Sequence, residues 1–164
     1  MRSKKGIIIL YLFVCLLGVL LHFAYDWSGK NFIVGIFSAV NESTWEHLKL
    51  VFFPMLLLTI WDLYHSEKND VCFLPARTVG ILSAMAFIVT VFYTYVGVTG
   101  QVIDFINIVI YFLGVAFGFL VEKQLYCKTN WVTPVFAAII LIGIAFAFVI
   151  LTYTAPNAGI FKIP

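Results

Sequence analysis

Val132-Thr-Pro-Val-Phe-Ala-Ala-Ile-Ile-Leu-Ile-Gly-Ile-Ala-Phe-Ala-Phe-Val-Ile-Leu151 contains no charged side chain. A helix of that length matches the hydrocarbon core of a bilayer, about 30 Å thick. The stretch lacks the period-2 alternation of a barrel strand, and lipid offers no partners to unpaired backbone groups, so it reads as a helix. It sits within a longer apolar span at about 131–153, and four more spans qualify at about 6–25, 45–64, 78–98 and 102–122. The sequence therefore predicts an all-α polytopic membrane bundle of five transmembrane helices, forming a single integral membrane domain over 1–164.

Composition agrees. Hydrophobic residues make up 63% and charged residues 11% of the 164, against roughly 45–50% and about 25% in soluble domains. Too little polar side chain remains to cover a water-facing surface, which excludes a soluble enzyme and a disordered tail. A net charge of +2 is no basic footprint, so nucleic acid is not an expected partner; the lipid bilayer is.

Arg2, Lys4 and Lys5 precede the first apolar run, as in a signal peptide, but Leu21-His22-Phe23-Ala24-Tyr25 offers no small-x-small cleavage site. A retained helix is expected. With the N-terminus cytoplasmic, Arg2, Lys4, Lys5, Lys68, Arg77, Lys123 and Lys128 lie inside, and Lys30, Lys49 and Lys162 outside. That is the bias of the positive-inside rule, and five spans then place the C-terminus outside the cytoplasm. Trp27, Trp45, Trp61 and Trp131 fall near span ends, as an aromatic belt would. The segment 31–41 is too short to cross and is expected to be interfacial or re-entrant. Cys72 and Cys127 fall in short polar loops on the cytoplasmic side, so free thiols are expected there.

The ionisable residues that remain gather at one level. His22 and Asp26 share a face at the outer end of the first span. Asn41-Glu42-Ser43-Thr44-Trp45-Glu46-His47-Leu48-Lys49 opens the second span, and Asp104 and Asn107 begin the fourth, with Thr94 and Tyr95 of the third nearby. The sequence thus nominates His22, Asp26, Asn41, Glu42, Glu46, His47, Asp104 and Asn107 as a binding cluster. Neutral histidines with carboxylates suit a divalent metal such as zinc, with His22, His47 and Asp26 as candidate ligands and Glu46 or Glu42 as candidate general base. The same groups suit an ion or proton relay.

A structural reading covers part of this. Ser43-x-x-Glu46 is a capping box, and Lys49 can pair with Glu46 or snorkel outward. Asp62, His65 and Glu122, at the opposite ends of their helices, read as solvated paired charges. Pro54 is expected to kink the second span. Gly114-Val-Ala-Phe-Gly118 permits close approach of another helix, in this chain or in an oligomer. The last span is the least expected to carry chemistry.

Two blocks, His22-Phe-Ala-Tyr-Asp-Trp-Ser-Gly29 and Phe37-Ser-Ala-Val-Asn-Glu-Ser-Thr-Trp-Glu-His-Leu-Lys49, are followed by Phe53-Pro54. Together they resemble small multi-pass membrane proteins of Gram-positive bacteria classed as a domain of unknown function. The resemblance implies a bacterial plasma-membrane protein with five helices and carries no activity. Asp26-Trp27 with Asn31 is also similar to the first-helix region of alkaline ceramidase-like hydrolases. Those have seven helices and a late His-x-x-x-His, whereas no histidine follows His65 here. The expected function is binding or conducting a small solute, ion or lipid head group at the outer side. A metal-dependent hydrolase at the outer leaflet and a structural or assembly subunit are the alternatives.

Overall fold

The computed structural model describes residues 4–65, 70–128 and 132–164. Arg2, Lys68 and Trp131 lie outside the described residues. The described residues form six helices: α1 (Lys4–Trp27), α2 (Phe32–Phe37), α3 (Thr44–His65), α4 (Phe73–Thr99), α5 (Asp104–Leu125) and α6 (Pro134–Tyr153). A single 3-10 turn, Gly159–Phe161, follows, and no strand occurs among the described residues. All the helices but α2 are long and apolar enough to cross a membrane. The five expected spans are present, and α4 begins five residues earlier than hydropathy suggested.

Polarity is inverted relative to a soluble bundle. Ile8, Leu12, Leu16, Val19 and Phe23 expose one side of α1. The more polar α3 is instead the most buried span, with 56% of its membrane-length window inside against 17% for α1 and α6. Its Glu46, Lys49, Thr59 and Asp62 all point into the bundle. In lipid, an apolar exterior costs nothing, whereas polar groups need protein partners, so the element carrying them takes the centre. Pro54 lies within α3, which continues as a helix on both sides of it.

Glycines bring the helices together. A β-carbon on Gly118 would stand 2.8 Å from the Gly80 carbonyl oxygen, and one on Gly114 would stand 2.5 Å from Ile88 Cγ1. The small-residue stripe is therefore buried in the α4–α5 contact of a single chain, so the face that the sequence offered to an oligomer is already occupied. Gly18 is tighter still: the Tyr111 hydroxyl, which donates to the Val14 carbonyl at 3.2 Å, occupies the space a methyl group would need.

The segment after α1 folds as α2, with the Asn31 side chain accepting from the N–H groups of Ile33 and Val34. Phe32, Ile33 and Phe37 of α2 are exposed, while Tyr153 donates to the Phe32 carbonyl at 2.7 Å. Trp27 and Trp61 are exposed at opposite ends of the bundle, as expected of a belt. Trp45 departs from that expectation: its ring packs on Phe148 and on Phe161 of the terminal turn.

The expectation of free loop thiols is overturned. Cys72 and Cys127 form a disulfide, because the antiparallel α4–α5 hairpin returns the end of α5 to the start of α4. Cys15 is free and buried.

Candidate functional site

The polar cluster at the His22 end is set by the entry into α3. Asn41 Oδ1 accepts from the Ser43 N–H at 2.9 Å, and Ser43 Oγ accepts from the Glu46 N–H at 3.4 Å. The anticipated capping box is thus half made, because the Glu46 carboxylate reaches past Ser43 to the Val40 N–H at 3.0 Å. His47, one turn on, has Nδ1 at 2.9 Å from the Ser43 carbonyl oxygen. Only a ring N–H can bond there, so the proton lies on Nδ1 and Nε2 is left to face outward. Nε2 stands 3.3 Å from Glu42 Oε2.

The His22 ring approaches from α1, with its centroid 5.2 Å from that of His47. One ligand atom each from His22, Glu42 and His47 lie within 4.8 Å of one another. His22 Nδ1 is buried with no hydrogen-bond partner among the described residues, while Glu42 is exposed, so the group has one sheltered side and one open one. Asp26 is exposed one turn along α1 and, with Glu42, places negative charge near the His22 ring. The carboxylate that groups with the two histidines is therefore that of Glu42, in the place the sequence gave to Asp26.

Glu46 belongs to a different network. Its carboxylate lies 2.5 Å from Lys49 Nζ, and the two side chains are 2% and 0% exposed. Lys49 also donates to the Gly35 carbonyl at 2.8 Å and to Thr152 Oγ1 at 3.0 Å. The second Glu46 oxygen accepts from Thr152 at 3.1 Å. Both oxygens are thus engaged in tying α3 to α2 and α6, which does not suit a general base. Thr152, at the end of the charge-free helix, was invisible as a partner in the sequence because a lone threonine carries no pattern. Asp104 is exposed at the start of α5 and lies outside the His22 group. Asn107 accepts from Tyr95 Oη at 2.5 Å and so links α5 to α4; Thr94 bonds back to the Thr90 carbonyl.

A family model matches residues 1–163 of the chain. The chain belongs to a family of unknown function, DUF6512. No curated protein and no solved structure matches it.

The opposite end holds what the sequence reading missed. Arg77, assigned there to a cytoplasmic loop, lies in the second turn of α4 and is 1% exposed. Its Nε and Nη2 donate to the two Glu122 oxygens at 2.6 and 2.9 Å, and Nη2 also donates to Asp62 Oδ2 at 3.1 Å. Asp62 and Glu122 are thus partners of a buried guanidinium, not solvated charges. His65 remains at the surface, stacked on Trp61. Hydropathy reads an arginine as a boundary, whereas two carboxylates from other helices allow it to stay inside.

Proposed function

We propose that this protein is a bacterial plasma-membrane protein that binds a divalent metal ion of the zinc type through His22, Glu42 and His47. We place its N-terminus in the cytoplasm and the metal site at the extracytoplasmic surface, as the distribution of lysine and arginine favours; the Cys72–Cys127 disulfide at the other end favours the reverse orientation, under which the same metal site would face the cytoplasm. The observation that carries the reading is the His47–Glu42 contact. With Nδ1 committed to a carbonyl, Nε2 turns a lone pair toward a carboxylate oxygen 3.3 Å away. Two electron-rich atoms are held at that distance stably only when a cation or a proton lies between them. A carbonyl-bound Nδ1–H is also the usual way in which proteins orient a ligating imidazole. Two histidines and one carboxylate form a zinc-type donor set with room for a further ligand.

The hydrolase alternative uses the same donor set but needs a base. Glu42 is a ligand here and Glu46 is held by Lys49, Val40 and Thr152, so binding without catalysis is the better-supported reading. The test is metal analysis and zinc titration of the purified protein beside His22→Ala, His47→Ala and Glu42→Gln. The expected result is one metal ion per wild-type chain, with each substitution weakening affinity at least about tenfold. A wild-type protein that takes up no stoichiometric metal would leave a proton in the His47–Glu42 gap and end this reading.

A further inference from the structure

We propose that Cys72 and Cys127 are a reversible thiol–disulfide switch, set by a dithiol–disulfide couple of the cytoplasm, whose closing clasps the end of α5 to the start of α4. The inference rests on the orientation given above and not on the metal. That orientation and the disulfide make opposite demands on this end of the bundle. Setting aside the buried Arg77 and Lys49 takes one residue from each side and leaves the lysine and arginine bias in place. In the cytoplasm, disulfides are rare and usually transient. A pair that opens and closes there satisfies both demands.

Local geometry shows what the bond holds. The Lys128 N–H donates to the Leu125 carbonyl at 2.8 Å, across Tyr126 at φ −55°, ψ 123° and Cys127 at φ 57°. These are the angles of a type II turn, whose third position favours glycine because a β-carbon is crowded at positive φ. Cysteine stands there instead, and its sulfur is bonded to that of Cys72. The neighbouring Tyr126 hydroxyl donates to Asp70 Oδ2, while Asp70 Oδ1 accepts from the Cys72 and Phe73 N–H groups at 3.1 and 3.2 Å. Asp70 thus caps α4 with one oxygen and holds the end of α5 with the other. With the bond open, Cys127 relaxes from positive φ, the turn opens and Tyr126 leaves Asp70, while the cap on α4 stays.

The exchange balances with the dithiol as its single co-reactant. Cys127 is exposed and Cys72 half-buried, so a thiolate of the dithiol attacks the Cys127 sulfur. A mixed disulfide forms, and the Cys72 sulfur leaves as a thiolate and takes up a proton. The second thiol of the reductant then attacks the mixed disulfide and closes the reductant's own disulfide, and Cys127 leaves and is protonated. Two electrons and two protons pass from the dithiol to the cysteines. Closing is the same exchange in reverse, driven by the oxidised member of the couple.

The experiment uses the full chain in bacterial membranes. Cells are quenched in acid, and free thiols are counted with a mass-tagging maleimide under denaturing conditions. In parallel, the Cys15→Ala/Cys72→Ser variant, with Cys127 as its single thiol, is labelled with a membrane-impermeant maleimide in intact cells and in inverted vesicles. The expected results are label on Cys127 in inverted vesicles alone, and three free thiols per wild-type chain in growing cells against one after diamide. The oxidised-to-reduced ratio should rise at least about tenfold, the change that about 30 mV makes in a two-electron couple. In purified protein, reduction should bring the ionisation of Tyr126, read as the tyrosinate difference from Tyr126→Phe, down from about 12. Cys127→Ala should match the reduced chain, whereas Cys127→Gly should keep the clasp, because glycine takes the turn unaided. Three results would each overturn the proposal: label on Cys127 in intact cells, which makes the disulfide a structural one outside the cytoplasm; a pair that stays closed in growing cells or open in diamide; or Tyr126 ionisation indifferent to reduction. Zinc titration of both forms is independent, and absence of metal binding in each would end the metal reading and leave the switch standing.

Discussion

Replacing Glu46 by Gln and Lys49 by Met, singly and together, separates a structural ion pair from a chemical group. The two side chains are 2% and 0% exposed and 2.5 Å apart, so solvent does not screen them. Removing one member strands the other charge in the bundle, which costs about 3–5 kcal/mol for a buried pair. If the effects were independent, the double variant would lose about 6–10 kcal/mol. It should instead lose only about 1–3, since no charge is left unpaired and the remaining cost comes from the Gly35 carbonyl and Thr152 hydroxyl losing the ammonium. Reversible unfolding in mixed detergent micelles, followed by helical circular dichroism, measures all four corners of the cycle. Zinc titration on the folded single variants should match wild type. The reasoning is refuted if Glu46→Gln unfolds like wild type while metal binding disappears, because Glu46 would then belong to the site and not to the frame.

Four further outcomes are expected. Gly18→Ala pushes a methyl group into Tyr111 Oη and the Leu50 carbonyl and should destabilise by about 1–3 kcal/mol in the same assay, whereas Gly97→Ala, with open space around it, should not destabilise. The Tyr126 hydroxyl is pushed up to about 12, first by its hydrogen bond to Asp70 and then by burial. That value lies above the unfolded one near 10, so the stabilisation is complete below about pH 10 and is lost as the pH rises toward 12. The stability difference between wild type and Tyr126→Phe should shrink over that window. Thiol titration of the denatured protein should count one free cysteine before reduction and three after. The Cys72→Ser/Cys127→Ser variant should lose up to about 4 kcal/mol, the chain-entropy value for a 55-residue separation.

Much of the fold is legible in the sequence because lipid imposes a single strong rule: long apolar runs become helices. The five spans, the short segment after α1 and the gathering of His22, Glu42 and His47 at one level all follow from that rule and from helical spacing. The boundary of α4 does not. Arg77 reads as a loop residue until Asp62 and Glu122, 15 residues before and 45 after it, are brought to its guanidinium.

The candidate site divides along the same line. Which residue types stand at the His22 end is legible in the chain alone, since charged groups are scarce enough for their clustering to stand out. How those groups are divided emerges from the packing of the helices. Glu46 and Glu42 are only four residues apart, Glu42 lying just ahead of α3, yet Glu46 turns inward to Lys49 and Thr152, and Glu42 stays outside with the two histidines. The same holds for Cys72 with Cys127 and for Gly114 and Gly118 with α4. Periodicity fixes the face of a helix, but a partner's identity depends on how far apart the helix axes are and which elements meet. Those are properties of the packed bundle, not of any one segment.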